Sequence, residues 1–293
     1  MTCIILIYGH KGWIGQQVIS YLNKIKTDDF KYVCGNARVD NIEELENEIK
    51  NIYPTHIISL IGRTHGEGIS TIDYLENHLY ENVRDNLFSP MVLALLSKKY
   101  NYHLTYLGTG CIFEYENLSS ILNNETEYKM FNENDKPNFH GSSYSIVKGF
   151  TDQLMHFNNS LNIRIRMPIT SEPNQRNFIT KITSYEKICS IPNSMTVLDE
   201  LIPIIIDLMF KNHIGTINMV NPGVISHNEI LEMYKEIVDT KFTWKNFTIE
   251  EQDKILKSKR SNNHLDTTLL QKLYPNVKNI HESVRECLKN FKK

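Results

Sequence analysis

The stretch "YGHKGWIG", residues 8–15, joins the apolar run "CIILIY" (3–8) to "IGQQVISYLNKI", in which Ile14, Val18, Leu22 and Ile25 share one helical face. A buried strand, a turn with glycines at 9, 12 and 15, and then a helix restrict the chain to few folds. Glycine permits a tight turn and a close backbone approach, so a pyrophosphate can rest on the helix N-terminus. Gly9, Gly12 and Gly15, with Trp13 and Ile14 between them, are therefore candidate contacts for a dinucleotide. An ordinary glycine-bearing turn needs neither the strand before it nor the helix after it, and both are present.

The same alternation continues. "YVCG" (32–35), "HIISLIG" (56–62), "HLTYLG" (103–108) and "NIRIRMP" (162–168) read as further strands. Between them lie "IEELENEIKNIY", a long helical stretch from Ile72 to Lys99, and "SSYSIVKGFTDQLMHF". The rhythm predicts an α/β fold: a Rossmann-type doubly wound parallel sheet covered by helices on both faces. Ligands then bind beyond the carboxyl ends of the strands, where "GHKGWIG" and "LGTGCIF" both fall. After Pro168 polar loops interrupt helical "DELIPIIIDLMF" and "SHNEILEMYKEIV". We expect a cofactor-binding domain over 1–168 and a smaller α/β substrate-binding C-terminal lobe over 169–293, with an interleaved boundary.

Composition narrows the function. A formal charge of -2 gives no electrostatic case for nucleic acid or an anionic membrane surface. The longest apolar runs are too short or too interrupted for a membrane span, and "MTCIILIYG" lacks the marks of a signal peptide. Five scattered cysteines, with no C-x-x-C and no H-E-x-x-H, argue against disulfides and against a metal. A reduced, soluble, cytoplasmic protein is expected.

The second strand ends in "CGNAR", without the acid that would bond a ribose 2′-hydroxyl but with Arg38 nearby. A guanidinium there can pair with a 2′-phosphate, so NADPH is the expected cofactor. Gly62, after the third strand run, joins the candidate cofactor contacts. In "GSSYSIVKG", Tyr144 and Lys148 are four apart, hence neighbours on one helix face. A lysine beside a tyrosine can lower the phenol pKa and make it a proton donor to a reduced carbonyl. The spacing alone proves little, since Tyr274 and Lys278 repeat it, although Pro275 breaks their helix. Position decides: Tyr144 opens the helix that follows the fourth strand, and Thr109 at that strand's end supplies a hydroxyl for the substrate carbonyl.

Residues 9 to about 266 carry a more specific likeness, through "GWIG", "TGCIFEY", "RMPI", "RNFITKIT", "IPNSMTVLDELIPI", "NPGVISHNEILEMY", "FTWKNFT" and "RSNN". The chain resembles the extended short-chain reductases, and within them the bifunctional UDP-4-keto-6-deoxy-D-glucose 3,5-epimerase/4-reductases of UDP-L-rhamnose synthesis. One departure is "GRTHGEG" (62–68), where that family has a G-x-T-G-R-type loop. The resemblance implies Cys111 and Lys181 as the acid/base pair of epimerisation. It also implies Thr109, Tyr144 and Lys148 as the reductive triad, NADPH as cofactor and UDP-4-keto-6-deoxy-D-glucose as substrate. GDP-fucose synthase is similar, with a cysteine at the same place and a histidine partner. The chemistry is coherent. A C4 ketone acidifies the hydrogens on C3 and C5, and a thiol with its pKa lowered by a cation is a base at neutral pH. By matched position, Asn138, Asn177 and Trp244 are expected at the sugar or uracil, and Arg260 at the diphosphate, together with Thr109, Cys111 and Lys181. His10 and His65 are expected to bond to solvent or backbone.

Two rivals share the fold. A dTDP-4-keto-rhamnose reductase receives a sugar already epimerised and has no use for Cys111 with Lys181. A non-catalytic NADP-binding regulator, like the regulatory subunit of methionine adenosyltransferase, has no use for the triad. With one glycine loop in the sequence, the preceding 4,6-dehydratase is expected on a separate polypeptide, and a homodimer is left open.

Overall fold

The computed structural model of the chain describes residues 2–123 and 128–291. Its elements begin β1 (Cys3–Tyr8), α1 (Trp13–Lys24), β2 (Phe30–Cys34), α2 (Ile42–Ile52) and β3 (His56–Ser59). α3 (Leu79–Val83), α4 (Ser89–Tyr100), β4 (His103–Thr109), α5 (Leu118–Leu122), α6 (Ser143–Met155) and β5 (Ser160–Ile165) follow. The remainder is α7 (Phe178–Thr183), β6 (Lys187–Ile188), α8 (Leu198–Phe210), β7 (Gly215–Asn218), α9 (His227–Ile237), β8 (Lys245–Asn246), α10 (Ile249–Asp253), α11 (Thr268–Leu273) and α12 (Ile280–Lys289).

Six strands form the expected parallel sheet, in the order β2-β1-β3-β4-β5-β7. β1 is flanked by β2, with Ile5 opposite Tyr32, and by β3, with Ile5 opposite His56. The chain therefore reverses direction across β1, and the carboxyl end of this strand is the switch point at which such sheets bind ligands. Strands buried on both faces carry near-continuous apolar runs, which is why Ile5, Leu6, Ile7, Ile57 and Ile58 are all essentially inaccessible.

The chain divides into two compact units that are interleaved in sequence. The first comprises Met1–Thr109, His140–Ile163 and Ile202–Ile217; the second comprises Gly110–Phe139, Arg164–Leu201 and Asn218–Lys293. The first has a core of sheet and helix residues such as Leu6, Leu45, Ile57, Leu93 and Leu104. The second packs Ile169, Ile179, Met195, Ile225, Leu231 and Val284 together. Its helix α9 starts with a full capping box, in which Ser226 and Glu229 exchange backbone hydrogen bonds.

The helical stretch expected over 72–99 is broken. It contains a 3-10 turn at Ile72–Glu76, α3, a π turn at Arg84–Phe88 and then α4. Pro90 accounts for the π turn, because it has no N–H to give to the carbonyl four residues back, that of Asn86. The hydroxyl of Thr151 on α6 donates to that carbonyl instead, at 2.6 Å. The break thus becomes a dock for α6.

Among the described residues, no helix is long and apolar enough to cross a membrane.

Candidate active site

The glycine loop is as constrained as its spacing suggests. Gly9 has φ +79°, and a Cβ there would lie 2.7 Å from the carbonyl carbon of Leu60. A Cβ on Gly15 would come within 2.4 Å of the Gly9 oxygen. Neither contact can relax, since both involve backbone. Gly12, at the N-cap of α1, offers no side-chain cap, so the first N–H groups of this 12-residue helix are left for an anion. These residues fit the diphosphate of a dinucleotide, with Trp13 and Ile14 in the first turn. His10 differs from expectation: its Nδ1 is buried without a hydrogen-bond partner.

At the end of β2 the structure brings in two carboxylates, Asp40 from the adjoining loop and Glu48 from α2. Glu48 of α2 accepts from the backbone N–H of Asn36 at 2.7 Å, and the exposed Arg38 pairs with Asp40 at 3.0 Å. Gly62 is exposed and lies beside the buried Asn86, whose Oδ1 accepts from the Arg63 N–H. In the departing loop after it, Arg63 is paired with Asp85 and Glu81, and Gly66 lies flat against the Tyr74 ring.

In the first unit Thr109 ends β4 and is buried, and α6 buries Tyr144 and Lys148 on one face. Three contacts fix that helix. Ser142 caps it by accepting from the Ser145 N–H, Glu76 accepts from the Ser143 N–H at 2.8 Å, and Thr151 reaches Asn86. Asp152 extends the row by one more turn and accepts from Asn162 at 2.8 Å. Sequence reasoning missed Asp152 and Tyr106. The Lys148 ammonium donates a short hydrogen bond to the Tyr106 hydroxyl and lies 4.6 Å from that ring's centre. Burial, with Tyr144 and Asp152 nearby, pushes the Tyr106 phenol well above its ordinary value, so it stays neutral and accepts.

The second unit holds Cys111 and Lys181. Lys181 sits on α7, which is capped by Asn177. Burial pulls the half-buried amine down from its ordinary value, and the like charges of Arg176 and Arg260 pull the same way. Arg260 also donates to the Ser258 carbonyl and hydroxyl at 2.9 and 2.7 Å.

Cys111 is partly exposed on a turn whose backbone is clamped from far along the chain. Asn263 donates to the carbonyls of Gly110 and Phe113 at 2.9 and 2.8 Å, and Ser261 donates to Phe113 at 2.6 Å. Beneath it runs Arg166, fully buried, which donates to Asn193 and to the Ser261 carbonyl.

Three expected substrate residues have their polar atoms engaged by the protein. Asn138 pairs with both backbone groups of Glu114. Asn177 is fully buried, accepts from Ile179 and donates to Thr170 and Glu172. Trp244 donates to Asn228 at 2.9 Å and stacks on Phe242. Each steadies a loop or helix start around the candidate catalytic groups.

No family model matches the chain. A crystal structure of the L780 UDP-rhamnose synthase from Acanthamoeba polyphaga mimivirus aligns with a TM-score of 0.93, at 52% identity, over 99% of this chain and 100% of that one. A bifunctional dTDP-4-dehydrorhamnose 3,5-epimerase/dTDP-4-dehydrorhamnose reductase from Arabidopsis thaliana is 42% identical over 285 residues, 95% of this chain and 90% of its own. At 17% identity, dTDP-4-dehydrorhamnose reductase from Bacillus anthracis, in complex with NADP, shares the fold with a TM-score of 0.78 over 99% of each chain.

Proposed function

The chain belongs to the bifunctional 3,5-epimerase/4-reductase family of rhamnose synthesis, and from that premise we propose that it converts UDP-4-keto-6-deoxy-D-glucose to UDP-L-rhamnose with NADPH. The solved relative is named for UDP-rhamnose and the Arabidopsis one for dTDP-4-dehydrorhamnose; the uridine nucleotide is our choice between them. The 4,6-dehydratase that makes this substrate is not among these 293 residues, which carry one glycine loop.

Epimerisation precedes reduction, because only the C4 ketone makes C3 and C5 acidic. Cys111 and Lys181 act there as base and acid: one removes the proton to form an enediolate, and the other returns a proton to the opposite face. Thr109 then holds the C4 oxygen and Tyr144 protonates it, while Lys148 holds the nicotinamide ribose and supports the phenol. NADPH, when bound, supplies the hydride. The rigid Gly9 and Gly15 turn favours a diphosphate there. For the phosphorylated form of the cofactor the support is Arg38, whose present partner Asp40 a 2′-phosphate would displace.

The observation that carries the epimerase half is Lys181, a half-buried amine held down by burial and by the like charges of Arg176 and Arg260. A plain reductase has no need of it. The test is incubation of the enzyme with UDP-4-keto-6-deoxy-D-glucose and NADP⁺ in heavy water. Deuterium should enter C3 and C5, and NADPH should then yield the L-rhamno product. Absence of exchange, with reduction of a pre-epimerised sugar intact, would make the chain a plain reductase.

Self-association is a smaller part of the proposal. Ile146, Phe150 and Leu154 form an exposed apolar stripe on α6, continued by Phe157. Sedimentation should give a dimer that Phe150→Glu dissociates.

A further inference from the structure

Lys148 brings a positive charge into the interior of the first unit. Only 4% of the residue is exposed, and an ammonium held there is costly unless its protons find acceptors. One of them goes to the hydroxyl of Tyr106 in a short hydrogen bond, and the same ring lies 4.6 Å from the nitrogen. Tyr106 is itself held fast. It is 1% exposed, stands opposite Ser59 in the sheet, and shares its core with Leu93, Leu104 and Met155. The phenol accepts as a neutral group, because burial keeps its own proton on.

Lysine needs such a partner. Its charge sits at the end of a flexible four-carbon stem, which can aim the ammonium in many directions. α6 fixes the backbone end of that stem, through the Ser142 cap and the bond from Thr151 to Asn86. The far end is fixed from β4, the strand that closes with Thr109. An uncharged oxygen suits this task, since it orients the ammonium and does not neutralise it.

We infer that Tyr106 is a positioning residue of the reduction: its hydroxyl sets where the Lys148 ammonium stands, and so how that ammonium meets the nicotinamide ribose and supports the Tyr144 phenol. The inference rests on the proposed role of Lys148, and adds to it the group that places the ammonium.

The test is a double-mutant cycle on the reduction of a pre-epimerised sugar, with the affinity for NADPH read separately by fluorescence titration. Tyr106→Phe keeps the ring and removes one oxygen. It should lower kcat about tenfold and weaken NADPH binding several-fold. The KM of the sugar should not move, nor should deuterium exchange at C3 and C5 under saturating NADP⁺. Lys148→Met should lower kcat about 10²-fold, and adding Tyr106→Phe should lower it no further, because the hydroxyl then has no ammonium to place. Unchanged kcat and NADPH affinity in Tyr106→Phe overturn the inference, and so do losses that multiply in the double variant. Should Tyr106→Phe fold poorly, adding Lys148→Met should restore the melting temperature, since two apolar groups then replace two polar ones. No recovery overturns the inference as well. Full reduction by Lys148→Met is a different failure: it removes the reading of Lys148 itself, and the inference with it.

Discussion

The two sets of candidate groups are held by different means. In the first unit, Thr109, Tyr144 and Lys148 are placed by a strand end and by one face of α6, and regular hydrogen bonding does most of the positioning. In the second, Cys111 and Lys181 lie on a turn and on the six-residue helix α7. There the positioning comes from side chains of Asn263, Ser261 and Arg166 bonded to backbone far away in sequence, and from Asn177 bonded to the backbone of Thr170 just ahead of α7. A helix face tolerates change at any residue that does not point inward. A clamped turn depends on each of its clamps, and a half-satisfied polar network is costly.

The sharpest way to break this comparison is to remove one reacting group from each half. Tyr144→Phe should lower hydride transfer by about 10²-fold or more while deuterium uptake at C3 and C5 continues. Cys111→Ser should do the reverse, stopping exchange at one or both carbons with NADPH binding intact. Loss of both activities in either variant would mean that the halves are not chemically separable. Asn263→Ala probes the clamp. It strips the Asn263 donor from the Gly110 carbonyl, while the Phe113 carbonyl keeps Ser261, at about 1–3 kcal/mol for the group left unpaired. Exchange should fall by about tenfold or more and the melting temperature should drop, with reduction of a pre-epimerised sugar less affected; equal losses would show that the clamp serves the whole enzyme.

Acid should act on both halves at once. Burial drives His56 in the first unit, and His227 and His264 in the second, from an ordinary 6.5 down to about 4. Between those values the unfolded chain binds more protons than the folded one, so stability is full above about pH 7 and declines as pH falls toward 4. Thermal melts between pH 7.5 and 5 should show the slope, and His264→Gln should flatten it; melts that do not change with pH would contradict the burial of these rings. The smallest effect concerns the cofactor. Arg38→Ala should reduce the preference for NADPH over NADH several-fold, because Arg38 is exposed and shares its charge with Asp40. An unchanged ratio of kcat/KM for the two cofactors would remove Arg38 from the site.

What could be read in the sequence follows the same division. Tyr144 and Lys148 declare themselves by their place at the start of the helix after the fourth strand, and the glycine loop by its place between the first strand and the first helix. Asp152 merely continues the Tyr144 row and could have been found by one more step of four. Arg166 also left a signal, since "NIRIRMP" places two arginines in an otherwise apolar run, and both are buried. Asn263 left none. Its partners at Gly110 and Phe113 are about 150 residues away, and no local pattern encodes such a bond. The π turn ahead of α4 had its cause in plain view at Pro90, but the rescue by Thr151 depended on how α6 packs.

The guanidinium groups around Lys181 have a consequence for ligand binding itself. They lower the amine only while their charge is uncompensated. A nucleotide sugar brings two phosphate charges, and once these pair with Arg176 or Arg260 the repulsion on the amine is relieved. Its affinity for a proton rises at that moment, so the complex takes up part of a proton from the medium as it forms. By linkage, the same ligand binds more tightly where that proton is easily supplied. On the proposed roles, ligand binding itself thus raises the proton affinity of Lys181.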